Sequence, residues 1–295
     1  MQTCRIFNPS AKGQKAAAFR SRLGSLYPEC VVLLTRAPGE ARQLAAQAVR
    51  DGFATIIAAG GDGTANEVVN GLADVPQGLA SVRLGIFPLG TINVFARELG
   101  LPRDLAGAAR TLQAGRELTI DLGRADFTAD GHTQCRYFLQ LAGAGLDARA
   151  VELVSWELKK KTGPVAYVVA ALKALKEAQP TITVEGADKL SGQLVLLGNG
   201  RYYGGSFAVF PKASLRDGLL DVCVMPTVSI WRPLQLALGL ATGRVHRFWT
   251  ARLFRSSTVT LRSSSRVGLQ LDGEYAGELP VTFSVLSQAL RVIVP

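Results

Sequence analysis

The chain has 295 residues, of which 48% are hydrophobic and 19% are charged; this length allows two domains with a buried core each, and the composition excludes a disordered chain. The formal net charge of +10 favours anionic partners such as nucleotides or an anionic lipid surface, although a basic surface without a specific partner is the plain alternative. Nucleic acid is the weaker interpretation, because the sequence contains no basic motif interleaved with aromatic residues of the RNA-binding kind.

The first part of the chain, residues 1–120, alternates between strand and helix patterns. The predicted strands are short apolar runs at 4–7, 31–35, 54–59 and 83–88. Helical spacing follows them, which is typical of a parallel sheet covered by helices. Ligands of such sheets bind beyond the carboxyl ends of the strands. The turns at those ends are polar or rich in glycine: Asn8, Thr35, Gly60–Thr64 and Gly90–Asn93.

The turn Gly60–Thr64 is the most informative of the four. Its glycines leave the main chain bare and permit positive φ angles, and the helix that follows offers free amides and a dipole that favours an anion. Thr64 and Glu67 match a capping box, which predicts Thr64 as the helix cap. Asp62 would repel phosphates unless it binds a cation, takes a proton or accepts hydrogen bonds, so the turn indicates Mg²⁺-linked phosphoryl transfer. A turn without a ligand is the alternative, since the spacing matches neither well-known phosphate-binding loop.

From about residue 121 the pattern changes to short strands with alternating hydrophobicity, which predicts an antiparallel β-sandwich over residues 121–295. The predicted strands are 136–141, 181–184, 193–197, 220–224, 259–261, 267–271, 281–283 and 290–294. Two helical stretches interrupt them, one at 148–177 with a break at Gly163-Pro164 and one at 230–241.

This second domain contains two acidic motifs. Asp272-Gly273-Glu274 is either a carboxylate site or an ordinary hairpin turn, because Asp-Gly between alternating runs is also a hairpin signal. Asp217 and Asp221 either hold a hard cation together with neighbouring carbonyls or only form a turn. The two histidines and four widely spaced cysteines match no metal or redox motif, so acid–base chemistry falls to carboxylates.

Taken together and in order, these motifs resemble the diacylglycerol kinase catalytic-domain family, which includes bacterial lipid kinases and is related to sphingosine and ceramide kinases. The resemblance covers essentially the whole chain, and the blocks that carry it are Asn8-Pro9, Gly60-Gly61-Asp62-Gly63-Thr64, Pro88-Leu89-Gly90-Thr91, Leu215-x-Asp217-Gly218-x-Leu220-Asp221 and Leu271-Asp272-Gly273-Glu274. The chain departs from the family at Val94, where an aspartate is frequent, and this removes one metal or nucleotide partner.

The resemblance implies a parallel α/β domain that binds ATP, followed by the sandwich, with the active site in the cleft between them. The implied nucleotide-binding residues are Asn8, Thr35, Gly60, Gly61, Asp62, Gly63, Thr64, Ala65, Asn66, Gly90 and Thr91. Glu274 would be the proton acceptor, with Asp272 beside it and Asp62 contributing to the arrangement of Mg²⁺ and phosphate. A metal ion in the second domain would be held by Ser214, Asp217 and Leu219.

The implied activity is ATP- and Mg²⁺-dependent transfer of the γ-phosphoryl group to the hydroxyl of diacylglycerol or a related lipid. Two alternatives stay open. One is a soluble NAD kinase-like or sugar kinase, and the other is a catalytically silent protein that binds nucleotide or lipid for regulation.

A lipid substrate requires the enzyme to reach a membrane surface. The longest apolar stretch, Pro164–Leu172, is too short to span a bilayer, which needs about 20 residues, and the N-terminus lacks the apolar segment of a signal peptide. We therefore expect a cytoplasmic protein that associates peripherally with the inner face of an anionic membrane. The candidate surface elements, for each of which a solvated basic helix is the alternative, are 156–161 with 166–169, 231–232 and 244–249.

Overall fold

The computed structural model describes residues 2–11, 16–129, 131–154, 165–185, 190–227 and 251–295. The chain divides into two compact units, unit 1 (Met1–Leu122 and Ser287–Pro295) and unit 2 (Gly123–Leu286). The last segment, Ser287–Pro295, thus belongs to unit 1, whereas its sequence pattern grouped it with the second domain.

The helices and strands alternate in unit 1, and strands dominate the described part of unit 2. The helices are α1 (Ala16–Leu26), α2 (Glu40–Arg50), α3 (Asp62–Ala73), α4 (Gly78–Ser81), α5 (Val94–Glu98), α6 (Leu105–Ala114), α7 (Leu146–Leu153) and α8 (Val165–Ala174). The strands are β1 (Thr3–Phe7), β2 (Val31–Leu34), β3 (Thr55–Gly60), β4 (Arg83–Pro88), β5 (Arg116–Ala129), β6 (His132–Phe138), β7 (Leu141–Gly145), β8 (Ile182–Glu185), β9 (Leu190–Gly192), β10 (Leu194–Gly198), β11 (Tyr202–Tyr203), β12 (Phe207–Ala208), β13 (Leu220–Met225), β14 (Arg252–Ser256), β15 (Thr258–Arg262), β16 (Gly268–Leu271), β17 (Glu274–Glu278) and β18 (Val281–Val294).

Unit 1 contains the parallel sheet that the sequence predicted, with the strand order β2-β1-β3-β4. The second half of β18 adds another parallel strand beside β4, with Arg291 opposite Arg83. Every residue of β3 is buried, as expected for a strand that helices cover on both faces. The sheet residues Phe7, Ile57 and Phe87 share a hydrophobic core with side chains of α1 and α6.

Unit 2 is the predicted antiparallel β-sandwich. One sheet has the order β14-β13-β10-β7-β16-β17. The other contains β9, β8, β15, the first half of β18, and the hairpin of β5 and β6. Val195 of β10 and Phe283 of β18 belong to one hydrophobic core, and Phe138 packs edge to face on Phe283 with ring centroids 6.0 Å apart. The core therefore lies between the two sheets, as in other sandwiches.

The C-terminal strand differs from the prediction. The sequence predicted separate strands at 281–283 and 290–294, but Val281–Val294 is one continuous strand. Gln288, with φ of 48°, lies where the pattern breaks, and its amide donates a hydrogen bond of 2.7 Å to the buried carboxylate of Asp121. Asp121, which is distant in sequence, thus stabilises the unusual backbone conformation of Gln288 within the strand. The local sequence pattern had predicted a break at this point.

The helical prediction at 148–177 corresponds to α7 and α8, which pack against each other. Gly163-Pro164 and the predicted helix at 230–241 lie outside the described residues, as do the candidate membrane elements 156–161, 231–232 and 244–249. Within the described ranges, no helix is long and apolar enough to cross a membrane.

Candidate functional site

The polar turns predicted at the strand ends of unit 1 do lie side by side. The parallel register continues past the strands through three backbone hydrogen bonds: Asn8 N to Ala59 O (3.0 Å), Thr35 N to Phe7 O (3.0 Å) and Leu89 N to Gly60 O (2.8 Å). These bonds place Asn8, Thr35 and the two glycine turns at one edge of the sheet. The edge is the position at which parallel α/β sheets bind their ligands.

The two glycine turns are in direct backbone contact. A Cβ on Gly90 would lie 2.7 Å from the Cα of Gly61, a distance that side-chain-bearing residues do not adopt. Asn93 fixes the second turn from inside, because its Oδ1 accepts from the Gly90 amide (2.9 Å) and its Nδ2 donates to the Gly90 carbonyl (2.7 Å). Main chain without side chains, at Gly61 and Gly90, therefore lies at the carboxyl ends of β3 and β4.

Asp62 connects the first turn to the helix that follows the second. Its Oδ2 accepts from the amide of Val94 and its Oδ1 accepts from the amide of Phe95, both at 3.0 Å. The carboxylate therefore caps the N-terminus of α5, where an anion is favoured by the free amides and the helix dipole. Of the three ways to place an anion beside phosphates, hydrogen bonding is the one that the structure shows.

The predicted capping box at Thr64 and Glu67 is wrong. Helix α3 begins at Asp62, and its N-cap is Gly61 without a side-chain hydrogen bond. The Thr64 hydroxyl accepts instead from Asn8 Nδ2 at 3.0 Å, and a Cβ on Gly60 would lie only 2.3 Å from that hydroxyl oxygen. Long-range contacts thus occupy the groups that the local pattern assigned to capping.

Glu67 serves a different helix. Its Oε1 accepts from the amide of Gly39 at 2.9 Å, and its Oε2 accepts from the amide of Ala41 at 3.0 Å. Because Gly39 is the N-cap of α2 and provides no side chain, Glu67 supplies the acceptors that the start of α2 lacks. The side chain therefore joins α2 to α3 behind the glycine turn.

The other predicted nucleotide-binding residues differ in exposure. Gly63 is half-buried and Thr91 is exposed, whereas Ala65 and Asn66 are buried. Asn66 Oδ1 accepts from Asn70 Nδ2 at 3.1 Å within the helix. Gly63 and Thr91 are therefore better placed to touch a ligand than Ala65 and Asn66.

In unit 2, the carboxylate of Asp272 is fully engaged by the main chain. It accepts from the amides of Leu139 (2.7 Å), Gln140 (2.9 Å) and Leu141 (3.0 Å). Asp272 also has φ of 50°, which its hydrogen bonds to the neighbouring segment compensate. These contacts make Asp272 an anchor for the turn rather than a free proton acceptor.

Glu274 follows this turn as the first residue of β17, and its side chain is 48% exposed. Arg136 lies near it, with Nη2 3.9 Å from Glu274 Oε2. Of the two acidic residues, Glu274 is the more exposed. The hairpin interpretation of Asp272-Gly273-Glu274 is therefore confirmed by the structure, and its interpretation as a carboxylate site stays a prediction, now centred on Glu274.

Three polar residues beside this turn were missed by the sequence analysis. Asp147 of α7 accepts a hydrogen bond from the Tyr203 hydroxyl and another from Gln270 Nε2 at 2.7 Å. Burial raises the pKa of the Asp147 carboxyl, and the two hydrogen bonds act in the opposite direction. One signal was available, since Asp147 follows a strand and a glycine at position 145, a pattern similar to that around Asp62.

The predicted metal residues Ser214, Asp217 and Leu219 form a loop before β13. The amide of Leu219 donates to Asp217 Oδ1 at 3.2 Å, and the amide of Arg216 donates to Ser214 Oγ at 3.3 Å. These hydrogen bonds form a polar turn, and the cation at this loop stays a prediction.

Arg255 brings a positive charge to the same loop. Its Nη1 is 3.6 Å from Asp217 Oδ2, its Nε is 3.1 Å from Asp221 Oδ1, and its Nη2 donates to the Lys212 carbonyl at 2.6 Å. Burial raises the pKa of the Asp221 carboxyl, against the effect of Arg255. Asp221 Oδ2 is buried and has no hydrogen-bond partner in the described part of the chain.

These contacts test whether the residues suit a metal ion. Among the described residues, no three His, Cys, Asp or Glu side chains form a metal-binding group. The single carboxylate of Asp62 would suit a Mg²⁺ ion that takes its other ligands from phosphates and water, as Mg²⁺ usually does. At Asp217 the oxygens suit a hard cation, but Arg255 already supplies the neutralising charge.

Comparisons with known proteins identify the family of this chain. Residues 3–125 match the family model described as the diacylglycerol kinase catalytic domain, and residues 140–294 match the YegS C-terminal NAD kinase beta sandwich-like domain. A diacylglycerol kinase of Bacillus subtilis (strain 168) is 34% identical over 88% of this chain and 84% of its own length. The chain belongs to the diacylglycerol kinase family.

Other members of the family extend the comparison. A YegS-like lipid kinase of Pseudomonas aeruginosa (strain UCBPP-PA14) is 34% identical over 90% of this chain and 85% of its own length. A crystal structure from Bacillus anthracis str. Sterne, described as a diacylglycerol kinase, has a TM-score of 0.78 at 23% identity and covers 100% of this chain and 97% of that chain. At this identity the crystal structure supports the fold alone.

Proposed function

We propose that this member of the family is an ATP- and Mg²⁺-dependent lipid kinase, which transfers the γ-phosphoryl group to the hydroxyl of diacylglycerol or a related lipid. The observation that carries the proposal is that the turns at Gly61 and Gly90 meet at one edge of the sheet, because turns without side chains let phosphates approach the backbone amides. Family membership makes a lipid hydroxyl the best-supported acceptor.

Nucleotide binding is assigned to unit 1. The first amides of α3 have no acceptor within the helix, and the dipole of the helix favours an anion at that end. Gly61, Gly63 and Gly90 allow phosphates to approach these amides, while Thr91 is exposed beside them. Asn8 and Thr64, which are bonded to each other, support the turn from below and orient it.

Proton removal is assigned to Glu274 of unit 2. A general base contributes about 10²- to 10⁴-fold in rate when it is correctly placed. Glu274 has the exposure that this role requires, while Asp272 holds the turn in place through its three amide bonds. Asp272 thus serves the reaction by positioning Glu274.

The proposal includes Mg²⁺, which when bound offsets the charge of the phosphates. Asp62 is the residue that would hold it in unit 1, since each carboxylate oxygen that accepts one amide keeps a further lone pair. We also propose that Ser214, Asp217 and Leu219 can hold a cation with a structural role. This cation would compete with Arg255 for the carboxylate of Asp217.

A lipid substrate implies that the enzyme works at a membrane surface. The net charge of +10 suits an anionic leaflet, and we propose peripheral association with the inner face of the cytoplasmic membrane. Sedimentation with vesicles that contain anionic phospholipid should pull the protein down at low salt and release it at high salt. No sedimentation with these vesicles would remove this part of the proposal.

One observation favours a second function. The family model matched by residues 140–294 is described as similar to the β-sandwich of NAD kinases, so a soluble acceptor such as NAD is the alternative to a lipid.

A single assay separates the two functions. Incubation with γ-labelled ATP and Mg²⁺, with a total lipid extract or with NAD, should place the label in a lipid product. Label in a soluble product would favour the alternative, and a lack of transfer to either acceptor would contradict both. The Glu274→Gln variant is the control, since it should bind ATP but transfer no label.

A further inference from the structure

A chain of hydrogen bonds in unit 2 leads to the turn that carries Glu274. The Tyr203 hydroxyl donates to Asp147 Oδ1. Gln270 Nε2 donates to Asp147 Oδ2 at 2.7 Å. The amide of Gly273, which directly precedes Glu274, donates to Gln270 Oε1 at 2.7 Å.

The direction of these bonds is set by Asp147. Asp147 accepts at both carboxyl oxygens, at Oδ1 from Tyr203 and at Oδ2 from Gln270, whereas a glutamine side chain has a donor end and an acceptor end. Asp147 therefore requires the NH₂ end of Gln270, and this leaves the oxygen of Gln270 facing Gly273. If the side-chain amide of Gln270 were flipped, its NH₂ group would face the N–H group of Gly273. Neither of these two donors would then have an acceptor.

The surroundings of the pair permit little adjustment. Gln270 is 1% exposed. A Cβ on Gly143 would lie 2.1 Å from Asp147 Oδ2 and 2.9 Å from Gln270 Nε2, so both polar groups lie against the bare backbone of β7. Their contact with Gly143 fixes where the two side chains meet.

The turn itself depends on this support. Asp272 and Gly273 both have positive φ, at 50° and 84°, and at Asp272 this conformation is unfavourable because the residue has a side chain. Asp272 holds one side of the turn through the amides of Leu139, Gln140 and Leu141. The bond from Gly273 to Gln270 holds the other side.

We propose that Asp147 is a positioning residue, which orients Gln270 so that Gln270 binds the Gly273 amide and fixes Glu274 for proton removal. The inference rests on the proposed role of Glu274. Asp147 and Tyr203 would thus influence the reaction through Gln270 and would not touch the reacting atoms.

The decisive experiment exchanges the chemical types of the pair. Gln270→Glu places two carboxyl groups against each other and should lower kcat by about 10- to 100-fold, because a displacement of about 1 Å can cost 100-fold. In D147N/Q270E, the introduced asparagine donates to the introduced glutamate and accepts from Tyr203, and the glutamate keeps an oxygen for the Gly273 amide. All three hydrogen bonds are then retained, and kcat should return to within about threefold of the wild type.

Two measurements distinguish positioning from general stability. ATP affinity should stay constant in all variants, because the nucleotide-binding residues belong to unit 1. Amide exchange at Gly273 should be faster in Q270E and slow again in the double variant. Gln134→Glu is the matched control, since Gln134 is exposed on β6 and the same chemical change there should alter neither measurement.

The outcomes separate this inference from the proposed function. Unchanged exchange and kcat in Q270E, or a double variant that recovers neither, would overturn the role of Asp147. If the wild type transfers phosphate to no lipid, the proposed function fails, and the exchange measurement alone decides whether the pair fixes the turn. If Q270E does not fold, folding of D147N/Q270E would still support the interaction between residues 147 and 270. Gln270→Met then replaces Q270E in the kinetic measurement, and the same loss of kcat is expected.

Discussion

Gly61 and Gly90 touch through their backbones, and the contact is asymmetric. A Cβ on Gly90 would lie 2.7 Å from the Cα of Gly61, whereas a Cβ on Gly61 would have its nearest neighbour, the Cα of Gly90, at 3.4 Å. The protein thus has room for a methyl group at position 61 but not at position 90. This asymmetry separates the packing role of the glycines from their role toward a ligand.

We expect Gly61→Ala to fold normally and to bind ATP at least about tenfold more weakly. Gly61 has φ of −92°, which alanine adopts easily, so the free energy of unfolding should change by less than about 0.5 kcal/mol. The added methyl group would instead occupy space needed by the phosphates. Thermal unfolding and calorimetric titration with ATP measure the two effects, and wild-type affinity would place the phosphates elsewhere.

Gly90→Ala is the counterpart. Its Cβ would also lie 2.7 Å from Asn93 Oδ1, so the second turn must shift, at a cost of about 1–3 kcal/mol in the free energy of unfolding. Both stability and ATP affinity should fall. A stable Gly90→Ala would show that the turns can separate without loss.

Asp62→Asn tests the anchor between the turns. Asparagine has one acceptor where Asp62 offers two, so one of the amides of Val94 and Phe95 would face an NH₂ group. Leaving a partly buried donor unsatisfied costs about 1–2 kcal/mol, and Mg²⁺-dependent turnover should fall as well. Asp74→Asn is the control, because Asp74 is in a surface pair with Arg42, which is worth less than about 1 kcal/mol. Equal effects of the two variants would reduce Asp62 to an ordinary surface residue.

The sequence was sufficient for the fold class and for the edge of the sheet where the candidate site lies. Buried strands followed by glycine-rich turns are local patterns, and in a parallel sheet those turns must meet at one edge. Asn8, Thr35 and the glycine turns could therefore be placed together without a structure. The contacts of Thr64 and Glu67 could not be predicted in this way. Thr64 bonds to Asn8 and Glu67 bonds to the start of α2, and neither forms the local capping box.

The missed residues share a property. Tyr203 and Gln270 donate hydrogen bonds to Asp147 from distant parts of the sequence, and no local periodicity marks such contacts. The C-terminal strand was misread for the same reason, since Asp121 stabilises the positive φ of Gln288. Local patterns predict elements, whereas polar contacts between elements need coordinates.

Asp272 and Glu274 should respond differently to neutralisation. Asp272→Asn removes an acceptor for one of three backbone amides and should lower the free energy of unfolding by about 1–3 kcal/mol. Glu274→Gln should leave stability unchanged and lower kcat by about 10²-fold or more, with ATP affinity retained. Glu278→Gln, on the same strand and paired with Arg266, is the control and should keep its activity. Normal turnover of Glu274→Gln would exclude Glu274 as the base.

A cation at the Asp217 loop should compete with Arg255. We expect Arg255→Gln to lower thermal stability without Mg²⁺, because Asp217 and Asp221 lose their shared positive partner. Added Mg²⁺ should then raise the melting temperature of the variant more than that of the wild type. Arg262→Gln, which removes a surface pair with Glu185, is the control. An equal response of Arg255→Gln and the wild type to Mg²⁺ would argue against a cation at this loop.

The pH dependence of stability should reveal the buried carboxyl of Asp147. Because burial raises its pKa, the folded protein binds this proton more tightly than the unfolded chain does. Its stabilising contribution is therefore complete below the ordinary Asp pKa of about 3.9, and it is lost as the pH rises through the raised value. Asp147→Asn does not titrate and can still bond Tyr203 and Gln270, its polar partners among the described residues. The stability of this variant relative to the wild type should thus increase from about pH 4 toward neutrality.

Asp104 provides a control of opposite sign for this measurement. Its carboxylate accepts from the amide of Gly107 at 2.7 Å, and this bond lowers the pKa of Asp104. The contribution of Asp104 is present above the ordinary Asp pKa and is lost as the pH falls, so Asp104→Asn should become less stable relative to the wild type as the pH rises. Urea unfolding of both variants between about pH 3 and 7 measures the two slopes. Slopes of the same sign would contradict the assignment of Asp147 as a carboxyl that burial keeps protonated to higher pH.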